Sequence, residues 1–263
     1  ALPYYVGGLI PEKEQLIVNT PAKFTELTGA KVLVEREVTS LDASAKQLAA
    51  KNLRTGMEET YSYDECVIAC GASSIVPPLQ GVSLPGVFTM RTPDDAIELR
   101  DYVERTGAKR AVVAGGGFIG LEAAENLAAK GLTVTVIDMA DQIMPGFDKE
   151  MADYAKRHLE KKGIKVLLNT RLEAVLGDSK AAGVKIPDGE LKADVVVMSL
   201  GIRPNTAFLK DTGLEMMPNG TILVDSQMKT NLPNVYAAGD CTGRPYQYAK
   251  AVGEGNVAVH SVL

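Results

Sequence analysis

Arg110-Ala111-Val112-Val113-Ala114, followed at once by Gly115-Gly116-Gly117-Phe118-Ile119-Gly120, is the stretch that decides the fold. The first five residues read as a short apolar strand, and the next six have the spacing G-x-G-x-x-G. Further along, Gly120 to Lys130 puts Leu121, Ala124, Leu127 and Ala128 on one helical face, with Gly131 as the stop. Thr133 to Ile137 is a β-branched strand, and Asp138 ends it roughly twenty residues after the first glycine. In that strand–turn–helix–strand setting the glycines have separate tasks. Gly115 permits the tight turn, Gly117 lets backbone approach a pyrophosphate, and Gly120 lets the helix pack close to the strand. The pyrophosphate would rest on the free N–H groups and the positive end of the helix. A carboxylate at Asp138 hydrogen-bonds a ribose 2′-hydroxyl and repels a 2′-phosphate. Met139-Ala140-Asp141 offers no Arg to hold such a phosphate, so NAD(H) is expected over NADP(H). Glu122, read as lying in the first turn of this helix, has two readings: stabilisation of the helix dipole, or a carboxylate near the nicotinamide. Periodicity does not separate them.

The alternation continues outward. Lys149 to Lys162 reads as a helix stopped by Gly163, and Ile164 to Leu168 as a third strand. Short strands near 171–176, 183–186 and 190–193 suggest a meander, and Asp194 to Leu200 a buried strand. Strands alternating with helices predict a parallel sheet of right-handed βαβ units. On the N-terminal side, Pro93 to Arg105 is a helix capped by Thr92 and stopped by Gly107, with Ala96, Leu99 and Val103 on its apolar face. Thr20, Pro21 and Gly29 mark a short helix. Leu2 to Gly8 is a Pro/Gly-punctuated segment and Val32-Leu33-Val34 a strand. Val38 to Asp42 and Gln47 to Leu53 form a hairpin, and Tyr61 to Ala69 is one buried strand. Near the C-terminus, Val235 to Ala238 is a strand and Ala249 to Val262 a helical segment.

Composition removes several classes of function. The 263 residues carry a net charge of −5, which argues against a general nucleic-acid binder. No apolar run is long enough to span a membrane. Three cysteines, Cys66, Cys70 and Cys241, are too few for a disulfide scaffold and lack metal or C-x-x-C spacing, which points to a reducing, cytoplasmic setting. Cys66 reads as a small core residue, Cys70 as a turn residue making backbone contact, and Cys241 as a loop-buried thiol. His158 lies on a charged helix face, and neither it nor His260 has a second ligand at zinc spacing. No G-x-S-x-G supports hydrolase chemistry.

Several further patterns, taken in order, resemble the pyridine nucleotide–disulfide oxidoreductases. These are flavoenzymes with an NAD domain inserted into an FAD domain and a C-terminal dimer domain. Tyr63 to Ala72 is similar to the strand that ends in the family's Ala-Thr-Gly turn, with Cys70 in the Thr place. Gly115 to Glu122 resembles the NAD fingerprint with its characteristic Glu, and Phe118 occupies the place of a Tyr lid over the flavin. Gly201-Ile202-Arg203-Pro204-Asn205 resembles the turn closing the NAD domain. Val235 to Asp240 resembles the second FAD motif, whose Asp holds the ribityl chain. Ala1 to Gly8, Thr20 to Phe24 and Arg91 to Ala96 resemble the branch of coenzyme A-disulfide reductases, NADH oxidases and NADH peroxidases.

The resemblance implies an α/β protein of two Rossmann-like three-layer nucleotide-binding domains. Residues 1–107 would be a partial FAD domain, 108–230 the inserted NAD domain, and 231–263 the returning FAD segment. Gly115, Gly117, Phe118, Ile119, Gly120, Glu122, Asp138 and Gly201 would bind NAD(H). Val38, Cys70, Gly71, Ala72, Gly239 and Asp240 would bind FAD. Only one G-x-G-x-x-G is present, and the branch's redox Cys would fall just before Ala1. The chain is therefore expected to be a fragment lacking the first FAD βαβ unit, that Cys and the dimer domain, and to be inactive alone. The parent would be a homodimer passing hydride from NADH through FAD to a small disulfide, oxygen, a peroxide or a Cys sulfenate. Two alternatives stand beside this: an NAD-binding module without turnover, and a parent of the ferredoxin or rubredoxin reductase type.

Overall fold

The structure, a computed structural model, describes residues 1–262. The chain begins with α1 (Leu2–Gly7), α2 (Pro21–Thr28), β1 (Arg36–Asp42), β2 (Gln47–Asn52), β3 (Glu58–Ser62), β4 (Cys66–Ile68) and β5 (Ala72–Ser74). Then come β6 (Val87–Phe88), α3 (Pro93–Thr106), β7 (Arg110–Ala114), α4 (Phe118–Ala129), β8 (Thr133–Ile137), α5 (Lys149–Lys161) and β9 (Lys165–Leu167). The rest comprises β10 (Ala174–Leu176), β11 (Gly183–Ile186), β12 (Gly189–Lys192), β13 (Val195–Met198), β14 (Ile202–Pro204), β15 (Val235–Ala237) and α6 (Tyr248–Val262).

Two compact units result. One comprises residues 1–18 and 74–201, the other 19–73 and the described residues from 202 onward. This division falls elsewhere than the boundaries expected near 107 and 230, and packing gives the reason. Ala96 and Leu99 of α3 are fully buried in the same core as Val113, Val134 and Val197, and β6 pairs with β13, so 74–107 belong with the first unit. Leu209, Leu214 and Ile222 share a core with Ile68, Val235 and Ala237, so 202–230 belong with the second.

The first unit is a parallel five-stranded sheet in the order β6-β13-β7-β8-β9. Strand residues alternate between its two faces. Ala111 and Val113 of β7 face a core with α3 and α4. Val112 and Ala114 face the antiparallel meander β10–β12, through Val175, Val184 and Ile186. The three layers are thus helices, sheet and meander. The Pro/Gly-punctuated residues 2–7 form α1, because Pro3 suits the first turn and Gly8 closes the helix at φ 86°. Arg100 pins this helix, stacking 4.6 Å over the Tyr5 ring and donating to the Pro11 carbonyl at 3.1 Å.

The second unit holds the meander β1-β2-β3 and a parallel pair, β15 with β4. The single strand expected over Tyr61–Ala69 is two. Tyr63 N–H still donates to Lys46 O, but Cys66 N–H donates to Asn234 O, so the chain changes partner across Asp64. The strand expected at Val32–Val34 does not form. These residues are 37–51% exposed, and no described strand lies beside them to take their backbone hydrogen bonds. Among the described residues no helix is long and apolar enough to cross a membrane.

Candidate functional site: two glycine turns

The first turn joins β7 to α4. Gly115 N–H donates to Ile137 O at 2.8 Å, and its φ is 113°. A Cβ there would lie 2.1 Å from Ser199 O at the end of the neighbouring strand. A Cβ on Gly120 would lie 2.0 Å from Gly115 O, which is how closely α4 rides on the strand. Gly117 differs. It caps α4 at φ −78°, and a Cβ on it would meet nothing within 4 Å. No side chain caps this helix, so its first-turn N–H groups are left for an outside acceptor.

Asp138 faces the turn from the end of β8. Its Oδ2 accepts from Gly116 N–H at 2.5 Å and its Oδ1 from Ala140 N–H at 2.8 Å. The helix starts at Phe118 rather than Gly120, because Leu121 N–H already bonds Gly117 O. Glu122 therefore lies in the second turn, where the helix dipole is weak, and is half-buried. Phe118 and Ile119 are 54% and 43% exposed at the mouth of the turn. Phe118 packs edge-on against Phe147, with ring centroids 5.5 Å apart. Gly201 has φ 99° and accepts from Ile75 N–H. Phe147 and the buried Ile143, which lies under Gly116, were not among the expected residues; both come from the loop between β8 and α5, which carries no periodic signal.

The second unit brings together Cys70, Gly71 and Ala72 after β4 and Gly239 and Asp240 after β15, since the two strands run parallel in register, Ala237 opposite Ile68. Gly71 has φ 63° and Gly239 φ 88°. Asn205 fixes the first turn. It donates from Nδ2 to Cys70 O at 3.0 Å, its N–H donates to Gly71 O at 3.0 Å, and its Oδ1 accepts from Ser73 Oγ at 2.7 Å. Val38 is half-buried on β1, opposite Ala50. Cys241 is fully buried, its thiol against Ala238 O at 3.2 Å and Ile68 O at 3.5 Å. A hydrogen bond with Cys241, and then burial, push the Cys70 thiol well up; burial does the same to Cys66. The same hydrogen bond lowers the Cys241 thiol, but Cys241 is fully buried, so none of the three is an activated thiolate of the exposed, electropositive kind. Among the described residues no group of His, Cys, Asp and Glu could hold a metal ion.

The residues fit the two nucleotides. The uncapped helix start with open space before Gly117 suits a pyrophosphate. Gly239, at φ 88° and ψ −150°, makes a turn that favours glycine between β15 and Asp240, the residue in the place of the flavin-holding Asp.

Known proteins of similar sequence and structure point the same way. The chain is 37% identical over 92% of its length to an NADH oxidase of Methanocaldococcus jannaschii, and covers 54% of that protein. It superposes on an NAD-dependent persulfide reductase from A. fulgidus with a TM-score of 0.91 at 36% identity, covering 97% of this chain and 50% of that one. It superposes on the water-forming NADH oxidase of Lactobacillus brevis, bound to NADH, with a TM-score of 0.93 at 27% identity, covering all of this chain and 60% of the other. An engineered form of that enzyme, bound to NADPH, carries five substitutions and matches at a TM-score of 0.91 and 26% identity, with the same coverage. The chain spans about half the length of the curated relatives it matches. Residues 6–255 match the family profile of the pyridine nucleotide-disulphide oxidoreductases, and the chain belongs to that family.

Proposed function

We propose that this chain is the nucleotide-handling part of an NADH-dependent flavin oxidoreductase, with the first unit taking NAD(H) and the second FAD. The observation that carries the reading is the contrast within one turn. Gly115 and Gly120 are locked by backbone contacts at 2.1 and 2.0 Å, while Gly117 faces open space. Such a turn leaves room for a ligand's phosphates only where the middle glycine stands. In this reading the pyrophosphate accepts from the first-turn N–H groups of α4, and Asp138 accepts from the ribose 2′-hydroxyl with lone pairs that Gly116 and Ala140 leave unused. Phe118, Ile119, Glu122 and Gly201 border the nicotinamide end.

NADH rather than NADPH follows from the charge of Asp138. The engineered NADPH-binding relative supports this. Its exchanged positions include a Gly and an Asp eighteen residues apart, and a Pro seven residues beyond the Asp. Gly120, Asp138 and Pro145 have that spacing here.

Val38, Cys70, Gly71, Ala72, Gly239 and Asp240 would border the flavin nucleotide. Together the bound cofactors supply hydride and electron transfer, and the chain's residues bind and orient them. The relatives' names, NADH oxidase and persulfide reductase, favour a small acceptor such as oxygen or a persulfide. A homodimeric, cytoplasmic parent fits the same reading.

The test is the colour of the purified protein and the identity of what is extracted from it. A yellow protein releasing FAD is the expected result. A colourless protein that binds NADH but takes up no flavin would leave an NAD-binding module instead.

A further inference from the structure

Lys250 and Glu254 lie one turn apart on α6 and form an ion pair at 2.9 Å, with side chains only 15% and 17% exposed. Both reach off the helix to the turn after β15. Lys250 Nζ donates to Gly239 O at 3.0 Å, to Thr242 Oγ1 at 2.7 Å and to Glu254 Oε2 at 3.0 Å. That uses all three protons of the ammonium. Glu254 Oε2 accepts from Gly239 N–H at 2.8 Å and from the Thr242 hydroxyl at 2.7 Å. Both backbone polar groups of Gly239 are therefore held from one helix. Gly239 sits at φ 88°, ψ −150°, a region open essentially to glycine alone. Its backbone sets the direction in which the following residue, Asp240, leaves the strand.

An i,i+4 pair that served only the helix would lie on its exposed face. Taking both charges out of water is unfavourable unless every donor and acceptor is satisfied, as they are here. Burial alone would raise the Glu254 carboxyl, but hydrogen bonds from Lys250, Thr242 and Gly239 outweigh it and hold the group below its usual range.

We propose that Lys250 and Glu254 are positioning residues that lock the Gly239–Asp240 turn in the shape that receives FAD. This rests on the reading of the second unit as the flavin-binding one. The two residues touch the turn, not the reacting atoms, so their effect is on flavin affinity rather than on hydride chemistry.

The test uses the intact protein and the paired exchange Lys250→Glu/Glu254→Lys. The exchange keeps an ion pair on α6, in the acid-before-base order that suits a helix at least as well. It removes the acceptor for Gly239 N–H and the donor to Gly239 O. FAD affinity, followed by quenching of flavin fluorescence, should fall at least about tenfold. In the flavin-free protein, Gly239 N–H should exchange with solvent at least about tenfold faster, with helical circular dichroism unchanged. Glu254→Gln keeps an acceptor and should fall between the two; it decides the matter if the paired exchange does not fold. FAD affinity within about twofold of the unmodified protein in whichever variant is read overturns the proposal. Asp240→Ala separates the two layers of the argument. Unchanged affinity there, or no flavin binding by the unmodified protein, removes the flavin from this turn. Loss in Asp240→Ala with none in the paired exchange removes only the positioning role.

Discussion

The carboxylate of Asp138 accepts a hydrogen bond from Gly116 N–H at 2.5 Å, across the gap between the ends of β8 and β7. Its other oxygen holds Ala140 N–H at 2.8 Å. Asp138 thus shapes the turn, and in the proposed reading it also carries the charge that discriminates between nucleotides; the two tasks are separable. Asp138→Asn keeps an acceptor for Gly116 and removes the charge. The ratio of NADPH to NADH affinity should rise about tenfold, the equivalent of about 1.4 kcal/mol, with NADH binding little changed. Asp138→Ala should raise the same ratio but also weaken NADH, because the turn loses its anchor. Titrations with both nucleotides check this; an unchanged ratio in both variants would remove Asp138 from the discrimination.

Gly115 and Gly117 should respond oppositely to a methyl group. Gly117→Ala adds a Cβ in open space at an ordinary φ, so stability should stay within about 0.5 kcal/mol while NADH binding is lost. Gly115→Ala drives a Cβ toward Ser199 O from a φ of 113° and should cost about 2 kcal/mol or more, lowering Tm by several degrees. Thermal melts beside NADH titrations separate the two. Equal destabilisation by both variants would contradict the assignment of the open face to Gly117.

What the sequence made legible here, and what it did not, divides by range. Thr92, Pro93 and Gly107 marked the ends of α3, whose Thr92–Asp95 capping box is present. The strand Arg110–Ala114 and the strand Thr133–Ile137 have the bounds that an apolar run and a β-branched run indicated. These signals are local. Val32–Val34 had the same local character and formed no strand, because a strand needs a neighbour and pairing is not written in the segment itself. Asn205 acts through Cys70, far away in sequence, and the Lys250–Glu254 pair acts back across a loop on Gly239; neither contact is written in the residues' own segment. The i,i+4 spacing of Lys250 and Glu254 was visible, but on most helices it marks a solvated pair.

Glu59 gives the second unit an acid-sensitive joint. The Tyr61 hydroxyl, then the Asn52 amide at 2.9 Å and the Arg36 guanidinium at 2.7 Å, hold its carboxyl at about 2. A carboxyl depressed in the folded state contributes stability above its unfolded value, near 4.5, and loses it as the pH falls toward 2. Glu59→Gln should therefore be less stable than the parent at neutral pH and show a shallower decline through that acid window. Urea melts at a series of pH values measure it; parallel acid profiles would contradict it.

The three thiols should be slow. Cys241 is fully buried, and Cys66 and Cys70 are held protonated by their surroundings. A thiol reagent at mildly alkaline pH should label the folded chain slowly and all three cysteines once it is unfolded. One rapidly labelled cysteine in the folded chain would show an activated thiolate among them.

If the two nucleotides bind as proposed, hydride can pass from NADH to FAD, and anaerobic mixing of the flavin-loaded protein with reduced nucleotide reads that transfer. The visible flavin band should bleach with NADH, at least about tenfold faster than with the same concentration of NADPH, and Gly117→Ala should abolish the bleaching without releasing the flavin. A flavin band left unchanged by NADH in the loaded protein would contradict the account.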